Sequence, residues 1–143
     1  MEIRTEIEVA APPAQVWQRL VDLQSYARWN PLITHIAGDL LEGARLSVTY
    51  SFADGSELRF VPHLIVVRPP QELRWRSRLW LRGILDSEHS LVLQPVPSGG
   101  TRVAQIEVVT GWALKYVGRR LTHTARGLIG MNEALKRLVE QGE

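Results

Sequence analysis

His89 and Glu107 are the side chains whose types and spacing best suit acid–base chemistry in this sequence. An imidazole beside a carboxylate can take up and return a proton near neutral pH, or can hold a ligand hydroxyl or carbonyl. The same pair also serves a purely structural end, in which a carboxylate satisfies a core histidine. Their proximity follows from strand register. Leu91 and Leu93 alternate with Ser90 and Val92, which puts His89 on the Leu face of its strand. A hairpin connection over residues 96–100 pairs Leu93 with Val103, and by the same register His89 with Glu107. A turn about Arg82-Gly83 pairs Leu79 with Leu85, hence Trp75 with His89. A row of Trp75, His89 and Glu107 then crosses one face of a sheet. On the other face this register sets Arg76 against Glu88 and Arg78 against Asp86, so opposite charges meet. Ile106 and Val108 make an equally good inward set, and a one-residue bulge would turn Glu107 outward.

The elements that must position these residues are legible from periodicity. Residues 3–9 alternate apolar and polar as a half-buried strand, and Ala11-Pro12-Pro13 ends it. Val16, Trp17, Leu20 and Val21 recur at helical spacing over 13–21, with proline tolerated in the first turn. Asp22 is placed to cap a second short helix through Tyr26 to Trp29, which Asn30-Pro31 stops. Strands follow over 46–52, 58–67, 73–81, 84–94 and 102–110, separated by turn signals such as Ala53-Asp54-Gly55-Ser56 and Arg68-Pro69-Pro70-Gln71. Short turns between successive strands make an antiparallel meander. From Trp112 to Gln141 the period changes. Leu114, Val117, Leu121, Ala125, Leu128, Leu135 and Val139 form one apolar stripe, with Lys115, Arg119, Arg126 and Arg137 roughly opposite. Gly118, Gly127 and Gly130 interrupt this helix, either for close packing or a bend, or as tolerated guests.

Composition bounds the functions. The 143 residues suit one domain with its own core, and the absence of cysteine excludes disulfides, thiolate catalysis and Cys-built zinc sites. The charged N-terminal residues read as a strand and not as a secretion signal, and no apolar run spans a bilayer, so a cytoplasmic protein is expected. A net charge of +2 with no single basic surface argues against nucleic acid. His35, His63, His89 and His123 lack metal-ligand spacing, and there is no phosphate-cradling glycine loop, nucleophile elbow or dinucleotide fingerprint; no metal and no cofactor are expected. Arg74, Arg76 and Arg78 share a strand face that is read as solvated. Lys115, Arg119, Arg120 and Arg126 are read as a solvent face, with transient contact with anionic lipid as the functional alternative. The pattern sets no oligomeric state.

Val16-Trp17, Asp22, Tyr26 and Trp29-Asn30-Pro31 resemble the early signature of the polyketide cyclase/dehydrase and lipid-transport branch of the START-like, or helix-grip, superfamily. Leu73-Arg74-Trp75-Arg76 resembles its central strand. Glu88-His89, Leu93-Gln94-Pro95, Gly99-Gly100-Thr101-Arg102, Glu107 and Gly111 resemble its late hairpin. The resemblance runs over the whole chain. It implies an α+β helix-grip fold: a curved antiparallel sheet of about seven strands around a long C-terminal helix, with two short helices after the first strand. It also implies an apolar cavity between sheet and helix.

Such a cavity needs a few polar groups to orient its ligand. Trp75, His89, Glu107, Asn132, Tyr50, Phe60 and Trp112 are the expected ligand-binding residues, with Trp80 as a further aromatic. Large aromatics also serve as ordinary core, and Asn132 also serves as a backbone-bonded core residue. The expected function is binding or transport of a hydrophobic small molecule such as a lipid, quinone or polyketide. The alternatives are a cofactor-independent cyclase or dehydratase, with His89 and Glu107 catalytic, and a protein-interaction module working through an exposed edge or patch.

Overall fold

A computed structural model describes residues 1–78 and 83–142. The elements run β1 (Glu2–Val9), α1 (Pro13–Val21), a 3₁₀ turn (Leu23–Ser25), α2 (Tyr26–Trp29), β2 (Ile33–Ala37), β3 (Ser47–Ser51), β4 (Glu57–Phe60), β5 (His63–Arg68), β6 (Glu72–Arg78), β7 (Asp86–Pro95), β8 (Thr101–Thr110), a second 3₁₀ turn (Trp112–Tyr116) and α3 (Gly118–Gln141). The fold is α+β, with antiparallel sheets and a long C-terminal helix. Eight strands form two sheets, ordered β1-β8-β7-β6-β5 and β2-β3-β4.

The division between the sheets falls where 58–67 reads as one strand. Pro62 has no N–H to give to a ladder, so β4 ends at Phe60 and β5 begins at His63 in the other sheet. The Pro62 carbonyl instead accepts from Leu46 N–H at 2.9 Å. A further strand, β2, pairs with β3 through a bulge between Ile33 and His35; its polar Thr34 and His35 hide it from a period-two reading. Asp22 makes no side-chain cap: its carbonyl accepts from Ser25 Oγ at 2.7 Å, and a 3₁₀ turn leads into α2.

The core lies between α3 and the inner face of the larger sheet. Leu121, Leu128, Met131, Leu135 and Val139 face Leu64, Leu73, Leu91, Leu93 and Val103, all buried, and Val16 and Leu20 of α1 complete the cluster. α3 begins six residues later than the apolar stripe suggests. Val117 has φ −118° and ψ 17°, outside the helical region, and separates the 3₁₀ turn from α3. Gly127 lets α3 approach the segment between α2 and β2 closely, because a Cβ there would sit 2.5 Å from Leu32 Cδ1. Gly118 meets no such neighbour, and Gly130 would meet only Pro31 at 3.7 Å. Replacing Gly118 by Ala is therefore expected to raise stability by up to about 1 kcal/mol through helix propensity, a gain readable in a thermal melt. Among the described residues no helix is long and apolar enough to cross a membrane.

Candidate functional site

Three strands build one wall of the site. The β6–β7 and β7–β8 ladders set Trp75 opposite His89 and His89 opposite Glu107, with Arg76 against Glu88 and Arg78 against Asp86 on the outer face. The β7–β8 ladder runs without a bulge from Asp86–Thr110 to Pro95–Thr101, so Gln105 and Glu107 point inward while Val108 is exposed. The Leu79–Leu85 pair, Trp80 and the start of the turn at Arg82 lie outside the described residues.

His89 is 1% exposed and fully engaged. Its ring stacks on Trp75 with centroids 4.9 Å apart and planes at 21°. Nδ1 lies 2.5 Å from Glu107 Oε2, and Nε2 lies 3.0 Å from Gln105 Oε1. Gln105 Nε2 donates to Asn132 Oδ1 at 2.6 Å, and Asn132 Nδ2 donates to Thr5 Oγ1 at 2.9 Å. One buried chain thus joins β7, β8, α3 and β1. With the Gln105 carbonyl turned to the ring, Nε2 carries a proton. An imidazole and a carboxyl that satisfy each other suit an apolar interior, where an unpaired polar or charged group is costly.

Beside this wall is a cavity of about 660 Å³. Leu58, Phe60, Leu85, Val109, Val117 and Leu121 give it an apolar lining; Tyr50, Ser77, Ser87, Glu107 and Thr124 add polar groups, and Arg59 and Arg120 stand at its exposed margin. Ser77 and Ser87 face each other across β6 and β7 with their hydroxyls 2.6 Å apart. Tyr50 packs edge-on against Phe60, centroids 5.0 Å apart at 90°. It is 3% exposed, yet its hydroxyl has no protein partner. Burial pushes the phenol well above its ordinary range, and the neighbouring Glu107 carboxyl adds to the effect. Among the described residues it is the one orphaned polar side-chain atom that belongs to the cavity wall.

The expected site residues therefore divide. Tyr50, Phe60 and Glu107 line the cavity. Trp75 and His89 lie beside Glu107 on the same sheet face without lining the cavity, and Asn132 joins this row from the helix through Gln105. Trp112 does not line it. It is 67% exposed on a surface 3₁₀ turn over residues 112–116; helical spacing would also have set it opposite the apolar stripe, with Lys115, Arg119 and Arg126. Gln105, Ser77, Ser87 and Thr124 were not foreseen. The first three carried a signal: the register that pairs His89 with Glu107 also puts Gln105 one diagonal step from His89 and Ser77 opposite Ser87. Thr124 carried one as well: it falls three residues after Leu121 and four before Leu128, on the apolar stripe. Among the described residues no cluster of three or more His, Cys, Asp or Glu is placed to hold a metal ion.

Comparison with known proteins bears on the whole chain. No curated protein matches it. Protein MLL2253 from Mesorhizobium loti superposes with a TM-score of 0.77 at 18% identity, over 100% of this chain and 99% of that one. Protein Ms6760 from Mycobacterium smegmatis gives 0.75 at 18%, over 98% and 91%. StfQ, the di-domain ARO/CYC of the steffimycin biosynthetic pathway, gives 0.75 at 12%, over 99% of this chain and 51% of its own. At these identities the likeness shows the fold, a helix grip with antiparallel sheets and a long C-terminal helix. The sequence itself matches the family model for polyketide cyclase/dehydrase and lipid transport over residues 1–143, and the chain belongs to that family.

Proposed function

We propose that residues 1–143 act as one ligand-binding domain that holds a hydrophobic, ring-containing small molecule, with a ligand oxygen accepting a hydrogen bond from Tyr50. The observation that carries this reading is the orphaned Tyr50 hydroxyl in the wall of an apolar cavity of about 660 Å³. Pockets of a few hundred to a thousand Å³, mostly apolar with a few convergent polar groups, suit ligands of this class. An unpaired buried hydroxyl is costly, so a ligand that supplies its acceptor is favoured. The family description, polyketide cyclase/dehydrase and lipid transport, is in keeping with a hydrophobic ligand that includes ring compounds.

Binding is favoured over catalysis by the state of His89. Both its nitrogens and one ring face are occupied by protein groups, which leaves it no free nitrogen for a substrate. One arrangement favours the second reading, ring closure or dehydration in the same cavity: Glu107 lines the wall with His89 beside it to accept or return its proton. Turnover that survives His89→Gln would remove that reading.

Native mass spectrometry of the purified chain, with organic extraction of what co-purifies, tests the primary reading. A bound apolar molecule is expected; an empty chain that also fails to take up a fatty acid, a quinone and an aromatic polyketide would overturn it. Tyr50→Phe is expected to weaken binding of that molecule about tenfold, the worth of one good hydrogen bond, while stability stays level or rises. Calorimetric titration beside a thermal melt reads both.

A further inference from the structure

Residues 108–132 hold Lys115, Arg119, Arg120 and Arg126, and the chain's 15 Asp and Glu all lie elsewhere. Within this acid-free stretch Trp112 is 67% and Tyr116 72% exposed, and they are the exposed large aromatics among the described residues. Lys115 Nζ sits 5.2 Å from the Tyr116 ring centroid. Lys115, Arg119 and Arg120 pair with no carboxylate among the described residues. The turn that carries Trp112 and Tyr116 is held against the turn that precedes β7, with Ala113 N–H donating to the Ile84 carbonyl at 3.0 Å. Val117, Arg120 and Leu121, which follow directly, line the cavity.

We infer that this segment docks the protein on an anionic lipid bilayer, with the cavity margin at Val117 and Arg120 brought to the interface. An exposed Trp and Tyr on one turn, with ammonium and guanidinium groups close by in sequence, match the chemistry of the bilayer boundary: amphipathic rings settle at headgroup depth and cations meet lipid phosphates. The net charge of +2 spread over the whole surface would not do this; the local excess does. An apolar ligand could then pass between bilayer and cavity without crossing water.

The test is vesicle co-sedimentation of the full chain, with no ligand added, so that its failure leaves the cavity reading untouched. Binding to vesicles of phosphatidylcholine mixed with phosphatidylglycerol is expected, with little binding to phosphatidylcholine alone and weakening as salt is raised. The double variant K115A/R119A, neither residue lining the cavity, should bind the anionic vesicles roughly thirtyfold more weakly, as about 1 kcal/mol per surface cation implies. Wild-type tryptophan emission should shift to the blue on vesicles, and Trp112→Phe should reduce that shift. Absence of binding, equal binding to both vesicle types, or unchanged binding by K115A/R119A would overturn the inference. So would a dimer in sedimentation velocity that W112A/Y116A returns to monomer, which would mean that a second copy of the chain covers these side chains.

Discussion

Gln105→Leu is expected to destabilise the protein by about 3–5 kcal/mol and to lower its melting temperature by roughly 10 °C or more. Gln105 is 0% exposed and links His89 to Asn132. Leucine fills much of the volume but leaves His89 Nε2 and Asn132 Oδ1 unpaired in the core. Each such group costs about 1–3 kcal/mol, since the water it gave up on folding is not replaced. Against a total stability of the order of 10 kcal/mol, that is a large fraction. The double variant Gln105→Leu with Asn132→Leu removes one of the orphaned groups and should recover part of the loss. A thermodynamic cycle should therefore return a coupling of about 1–2 kcal/mol. Chemical denaturation measures the wild type, both single variants and the double variant; a loss under about 1 kcal/mol for Gln105→Leu would show that the polar chain adds nothing to stability. Asn132→Leu alone then separates two roles. Lost stability with intact ligand affinity marks Asn132 as a support, as its position off the cavity lining implies.

Gly111→Ala is expected to cost about 2–4 kcal/mol and to disturb ligand uptake as well. Gly111 has φ 122° and ψ 158°, a region that alanine hardly enters. A Cβ there would also meet the Ile84 carbonyl oxygen at 2.3 Å and its carbon at 2.7 Å. Those are backbone atoms, so relief requires moving the start of β7 or the turn after β8. Leu85, next to Ile84, lines the cavity, so the displacement reaches the ligand site. Gly118→Ala is the matched control: it lies seven residues on, in helical backbone with open space around it. A Gly111→Ala protein with wild-type melting temperature would refute the steric argument.

Much of the wall was legible from sequence because strand pairing is arithmetic. Once Leu93 is set against Val103, the pairs His89–Glu107 and Trp75–His89 follow, and the charge pairs on the outer face follow with them. Which way Glu107 points was not legible. Val103, Gln105, Glu107 and Val109 are the buried set, but Ile106 and Val108 compete for it on hydrophobicity alone. The unbroken ladder decides, because a single bulge would have exchanged the two faces. Trp112 shows the converse failure. Its size and aromaticity suited a cavity wall, but residue 112 stands opposite the stripe of Leu114, Val117 and Leu121, and on its 3₁₀ turn it lies on the surface.

By itself the sequence determined the order of the elements, the antiparallel pairing of β6, β7 and β8 and the apolar stripe of α3. Each follows from local periodicity and from turns a few residues long. Its family motifs implied a cavity between sheet and helix. Tertiary structure decided the rest: where the sheet divides, that His89 is spent on Trp75, Gln105 and Glu107, and that Tyr50 is left without a partner. These outcomes depend on which side chains from distant segments reach the same volume. Thr5, Gln105 and Asn132 lie up to 127 residues apart and meet in one hydrogen-bonded chain. A cavity, likewise, is volume that no side chain fills, and periodicity records which face turns inward but not how much space remains there.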